Sequence, residues 1–259
     1  MNRSRPQPRL TYFRRRLRRF IQHVPRLSHE ETLARIFAHE RTLERLSALE
    51  WVPHVVYDIG AHHGIWTRNA KRIFPTGRYF LFEANAENVS QLQSSNSACF
   101  LVALGSSDNE ERQFFLPPPG VISTGASLFR EETAHYRPEN ARVRRVIVRR
   151  LDRFCQEHAL PPPDLMKLDV QGAELDVLLG AGALLENCEA LIAELSLLRM
   201  NEGAPIAAEI IAELHELGFY CTDLCEVHRS ASTGTALQVD ILFTRAALHE
   251  RFRARENLH

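Results

Sequence analysis

Beyond residue 53 the chain alternates short apolar runs with stretches of helical periodicity, and few architectures other than helices packed on a mostly parallel sheet satisfy that order. The run 54–59 predicts the first strand, followed by a glycine turn and a helix that ends at Phe74, before Pro75. A second strand is expected over Arg78–Phe82 with its helix over Ala86–Ser94, and a third over Cys99–Leu104. Arg112–Leu116 reads as an extra strand after a Ser107–Asp108–Asn109 turn; Val143–Arg150 is β-rich and Leu151–His158 helical. A buried strand, Leu165–Asp169, precedes a helix over Gly172–Leu185, a strand over Ala190–Leu195 and a helix over Pro205–Leu217. Gly218–Leu224 and Gln238–Thr244 close the domain as an antiparallel pair. The fold class is therefore α/β, with the domain over 54–245, a helical extension over 1–53 and a tail over 246–259.

The extension differs in charge from the rest. Residues 1–27 hold nine arginines and no acid, although the whole chain is neutral. Leu10, Phe13, Leu17, Phe20, Ile21 and Val24 recur at helical spacing among these arginines. Such a basic helix over 9–24 suits an anionic membrane surface or a nucleic acid, but packing of its apolar stripe on the domain is favoured over both. Ser28 with Glu31 has the capping-box pattern that opens a second helix. No run reaches the roughly 20 apolar residues of a membrane span, and no apolar leader follows the first residues. Five scattered cysteines fit neither a redox nor a zinc motif, so reduced thiols and a cytoplasmic location are expected, with contact at an inner membrane surface as the variant.

Three segments carry chemistry. The first, Val55-Val56-Tyr57-Asp58-Ile59-Gly60-Ala61-His62-His63-Gly64, is an apolar strand ending in an acid and a glycine turn, where an open α/β sheet binds ligands. It lacks the GxGxxG spacing of a dinucleotide site, which argues against a nicotinamide dehydrogenase. A carboxylate beside the turn suits a ligand bearing an ammonium group better than a diphosphate. The second segment, Phe80-Leu81-Phe82-Glu83, puts an acid at a strand end 25 residues after Asp58, near the spacing of a ribose-binding carboxylate. The third runs from Leu165 to Glu174 and sets Lys167 and Asp169 on one face of an apolar strand, either as a buried ion pair or in catalysis.

In this order the three segments resemble the FkbM family of methyltransferases, and the similarity continues through Asn201–Pro205 and Gln238–Phe243. KLDVQGAELDVLLGA, residues 167–181, is its most specific stretch. The resemblance implies a Rossmann-like class I methyltransferase fold with a mostly parallel seven-stranded sheet. It also implies S-adenosylmethionine as methyl donor and O-methylation of a sugar, glycan or natural-product hydroxyl. Carried over, Asp58, Gly60, Ala61 and Gly64 contact the methionine moiety, Glu83 the ribose, and Asp169 lies beside the donor. His62, Ala84 and Gln171 stand where the family commonly has Asn, Pro and Glu. Asp169, His62, His63 and Glu194 are the candidate proton acceptors, with Asp169 or a histidine of the pair preferred. Asp169 and Glu194 together offer two oxygen ligands for Mg²⁺, too few to define a metal site. Ser123, Ser127, His135 and Tyr136, in the irregular stretch 117–140, are candidates for acceptor contact. The rival readings are a nucleic-acid methyltransferase gripping through the arginine helix and a cofactor-binding scaffold without catalysis.

Overall fold

Val55–Ile59 (β1) is buried at every residue, as a strand with neighbours at both edges and helices on both faces must be. The computed structural model describes residues 38–92, 97–117, 125–133 and 142–257. Around β1 it sets Arg78–Glu83 (β2), Ala98–Leu101 (β3), Leu165–Leu168 (β7), Ala190–Ser196 (β8), Phe219–Arg229 (β9) and Ala236–Arg245 (β10). Their order is β3-β2-β1-β7-β8-β10-β9, with β10 antiparallel to both neighbours and the other pairings parallel. This is the seven-stranded class I methyltransferase arrangement, with the antiparallel pair that the sequence predicts. The strand order reverses between β1 and β7, so a crevice opens at their carboxyl ends.

Strand alternation divides the core in two. On one face Tyr57, Phe82, Met166 and Leu191 pack against Leu151–Glu157 (α4), Glu174–Ala181 (α5) and Ala207–Glu216 (α6). On the other, Val56, Leu81, Ile192 and Leu242 meet Leu43 and Leu46 of His39–Ser47 (α1), Ala70 of Ile65–Ile73 (α2), and Leu248 of Ala246–Arg255 (α7). Between them in sequence, Val89–Leu92 forms a short helix (α3) after a 3₁₀ turn at Ala86–Asn88. Thus α1 and α7, which lie in the predicted extension and tail, cover one face of the sheet and belong to its compact unit.

The run expected as one strand over Cys99–Leu104 divides at Val102. Its first part, β3, pairs with β2, whereas Ala103–Leu104 (β4) joins Glu110–Leu116 (β5) and Arg142–Arg149 (β6) in a separate sheet ordered β4-β6-β5. That small sheet has its own apolar cluster, with Phe114, Leu116, Leu128 and Val148 buried in it. Ser127 is enclosed there: its hydroxyl donates to the Gln171 carbonyl (2.7 Å) and accepts from Phe129 N–H (2.9 Å). It therefore braces the loop rather than facing an acceptor. The arginine-rich helix, the Ser28–Glu31 box, Ser123, His135 and Tyr136 lie outside the described residues. Among the described residues no helix is long and apolar enough to cross a membrane.

Candidate active site

The turn after β1 is held from below by β2 and from the side by β7. Gly60 and Ala61 N–H groups both donate to the Phe82 carbonyl, at 2.9 and 3.1 Å. Gly60 has φ +79°, and a Cβ there would lie 1.8 Å from the carbonyl oxygen of Asp169. Only glycine allows β1 and the end of β7 to approach this closely. His62 also has positive φ (+48°), a region where Asn, Asp and His are the least disfavoured side chains. That preference accounts for His standing where the family commonly carries Asn.

His62 N–H donates to one oxygen of Glu83 and Asn85 N–H to the other, each at 2.7 Å. Glu83 is therefore oriented by backbone at the end of β2. Burial pushes its pKa upward against the pull of these bonds and of the Asn88 amide. A carboxylate has about four acceptor positions, so Glu83 keeps capacity for hydroxyl donors.

Asp58 does not face the crevice. It is fully buried beneath the turn, where the Thr67 hydroxyl donates to Oδ2 and Oδ1 has no partner among the described residues. Its register neighbour on β7 is Lys167, whose ammonium donates to Asp169 Oδ2 at 2.7 Å. Burial opposes the lysine's charge, yet Asp169 and Asp58 together hold its pKa above the ordinary value. The buried-pair reading of Lys167 thus describes its geometry, and Asp169 is the acid that reaches the crevice. Burial resists ionisation of Asp169 as well, but Lys167 keeps its pKa below the usual range.

Two cavities meet at Gly60, His62 and Asp169, which line both. The first is walled mainly by apolar side chains, among them Val102, Leu104, Phe114 and Leu128, with Glu83 and Asn88 as polar points. The second is more open and polar; Ala61, His63, Trp66, Lys167 and Glu194 line it with His39, Glu226, His228 and Asp240. His63 stacks on His62 with ring centroids 3.7 Å apart. Gly64 lines neither cavity; at φ +67° it caps α2. Between Asp169 and Glu194, the pair offering oxygen ligands to Mg²⁺, stands the Gln171 amide, donating to both at 2.9 and 2.6 Å.

Four of the cavity residues escaped sequence reasoning: His39 on α1, Glu226 and His228 on β9, and Asp240 on β10. The available signal was period-two polarity: Gln238 with Asp240 on a strand expected only to close the sheet, and Glu226 with His228 just beyond the expected end of its partner at Leu224.

Residues 58–221 match the family model described as "Methyltransferase FkbM domain". Over 171 residues the chain is 29% identical to the 2-O-methyltransferase NoeI of Sinorhizobium fredii, an alignment covering 61% of this chain and 70% of that protein. Among solved structures it is similar to a precorrin-6y C5,15-methyltransferase from Geobacter metallireducens, with 13% identity, TM-score 0.42, and coverage of 80% of this chain and 88% of that one. The fibrillarin/Nop5p complex matches at 13% identity and TM-score 0.42, over 74% of this chain and 72% of that one. With the family model spanning most of the sheet and the crevice described above, the chain belongs to the FkbM methyltransferase family.

Proposed function

We propose that the protein transfers a methyl group from S-adenosylmethionine to a hydroxyl of a sugar, glycan or natural-product acceptor. The observation that carries this reading is the pair of cavities, one apolar with a carboxylate at the end of β2, the other polar, joined at Gly60, His62 and Asp169. The apolar walls suit a purine, Glu83 suits a ribose diol, and the Gly60 turn and Asp169 suit the amino-acid end. When bound, S-adenosylmethionine supplies an electrophilic methyl group, and the residues of the chain need only position the acceptor, exclude water and take a proton. The named activity of NoeI supports an oxygen acceptor.

His62 is the proton acceptor we favour. Burial and the neighbouring His63 hold its pKa below 6.5, so the ring is uncharged at neutral pH, and it lines both cavities. Asp169, tied to Lys167 and Gln171, is a weaker base. Since Asn is common here in the family, this role is particular to this chain. His62→Asn keeps a side chain that tolerates positive φ. It should lower kcat on the order of 100-fold while leaving donor affinity within a few-fold. In the wild type the rate should fall as pH drops through the His62 pKa, below 6.5, and this limb should vanish in the variant. A pH–rate series on both proteins checks it; an unchanged limb would reassign the base.

Calorimetric titration with S-adenosylmethionine tests the donor. Micromolar binding is expected, weakened at least tenfold in Glu83→Ala, with melting curves confirming that the variant folds. No binding by folded wild-type protein, with or without acceptors and divalent metal, would leave the scaffold reading in its place.

A further inference from the structure

The polar cavity contains a row of acids that methyl transfer to a neutral hydroxyl does not require. Asp240 on β10 stands opposite Glu194 on β8 and opposite Glu226 on β9, so three carboxylates cross three adjacent strands in register. Like charges placed directly opposite one another destabilise a sheet. Asp240 is buried as well, at 2% exposure. What stands against the row is imidazole. His228 Nε2 is hydrogen-bonded to Asp240 Oδ2 at 2.8 Å, with a proton that a bound cation would displace, and lies 3.6 Å from Glu194 Oε2; one ligand atom from each of the three residues lies within 4.8 Å of the other two. Ligands about 2.0–2.2 Å from a metal ion are about 3 Å apart along an octahedral edge and about 3.4 Å apart along a tetrahedral one. The two separations at His228 bracket those values.

A second trio, His39, Glu226 and Asp240, has comparable spacing, but its imidazole cannot move the Nε2 proton to Nδ1 to free a lone pair for an ion. The Trp66 indole N–H can only donate, and it donates to His39 Nδ1 at 3.2 Å. The neutral ring then carries its own proton on Nε2, the atom 3.6 Å from Asp240 Oδ1. His39 therefore supports Asp240 rather than competing for an ion. Glu194 is held likewise: the Gln171 and Gln238 amides donate to Oε1, and Oε2 is the oxygen nearest His228. Partners of this kind fix ligating carboxylates in metal sites.

We propose that Glu194, His228 and Asp240 bind a divalent first-row cation of the Mn²⁺ or Zn²⁺ class. One imidazole with two carboxylates suits these ions better than Mg²⁺ or Ca²⁺, which prefer oxygen ligands throughout. The remaining coordination positions open into the polar cavity. A hydroxyl bound there would be acidified; that consequence rests on the methyltransferase reading, whereas cation binding does not.

The test uses the full chain and Mn²⁺, followed by electron paramagnetic resonance. The expected result is one Mn²⁺ per chain with a single directly bound ¹⁴N. His228→Ala should abolish the nitrogen coupling and weaken binding at least tenfold, Glu194→Gln should weaken it comparably, and Glu226→Gln should change neither property. Melting curves of the metal-free variants establish folding. Should Glu194→Gln not fold, His228→Ala, whose side chain is part-exposed, decides. Absence of saturable binding of both Mn²⁺ and Zn²⁺ would overturn the site. So would binding that survives His228→Ala, depends on Glu226, or, for Zn²⁺, disappears in Cys221→Ser. Titration of the same samples with S-adenosylmethionine reports separately on the donor, so either reading can fail alone.

Discussion

Gly60→Ala should leave little folded protein. The added Cβ would sit 1.8 Å from the Asp169 carbonyl oxygen and 2.7 Å from its carbonyl carbon, both backbone atoms unable to turn aside. The left-handed φ of +79° adds roughly 1–2 kcal/mol for any L side chain. Relief requires β1 and the end of β7 to part, which breaks the centre of the sheet. A loss above about 4 kcal/mol is expected, beyond the range of most single substitutions. Gly203→Ala is the control, because it shares the positive φ (+76°) but has open space around the new methyl. It should cost only roughly 1–2 kcal/mol. Urea unfolding of the two variants separates steric overlap from backbone strain; equal losses would mean that the approach of β7 to Gly60 is not tight in solution.

Lys167→Met should be nearly as damaging, for an electrostatic reason. The ammonium neutralises a pocket containing Asp169, which it bonds at 2.7 Å, and Asp58, its register neighbour. Removing one partner of a buried ion pair typically costs about 3–5 kcal/mol, because the remaining charge is left without compensation. In the variant the stranded carboxylates would have folded-state pKa values above their unfolded ones. Their ionisation then penalises the fold at pH 7, and the penalty shrinks as pH falls and they protonate. The deficit relative to wild type should therefore be largest at pH 7 and smaller near pH 5, and adding Asp58→Asn should recover part of it. Unfolding measured at both pH values checks the sign. A pH-independent deficit under about 1 kcal/mol would show that the lysine is not paired as described.

These two positions also mark what sequence made legible. The glycine turn, the acid ending β2 and the Lys167–Asp169 strand were readable because each depends on local order: an apolar run, a break, then a polar residue at a known offset. What escaped depends on pairing between distant segments. Asp58 and Glu83 look alike in sequence, each an acid at a strand end. Yet Thr67 and Lys167 enclose the first, while backbone N–H groups present the second to a cavity. The change of sheet at Val102 is hidden inside one unbroken apolar run, since nothing in 99–104 records which partner each half will find. The row of Glu194, Asp240 and Glu226 exists only once two antiparallel registers are set.

The insertion of β10 between β8 and β9 also bears on when the protein becomes competent during its own synthesis. Every residue lining the apolar cavity lies between Ile59 and Ala173, so the whole of that lining has been made before the last third of the chain is translated. The polar half has not. Asp240 must emerge and β10 must pair with both β8 and β9 before its carboxylate meets Glu194 and His228. A nascent or prematurely terminated chain would thus lack the row of carboxylates even with every residue of the apolar lining present.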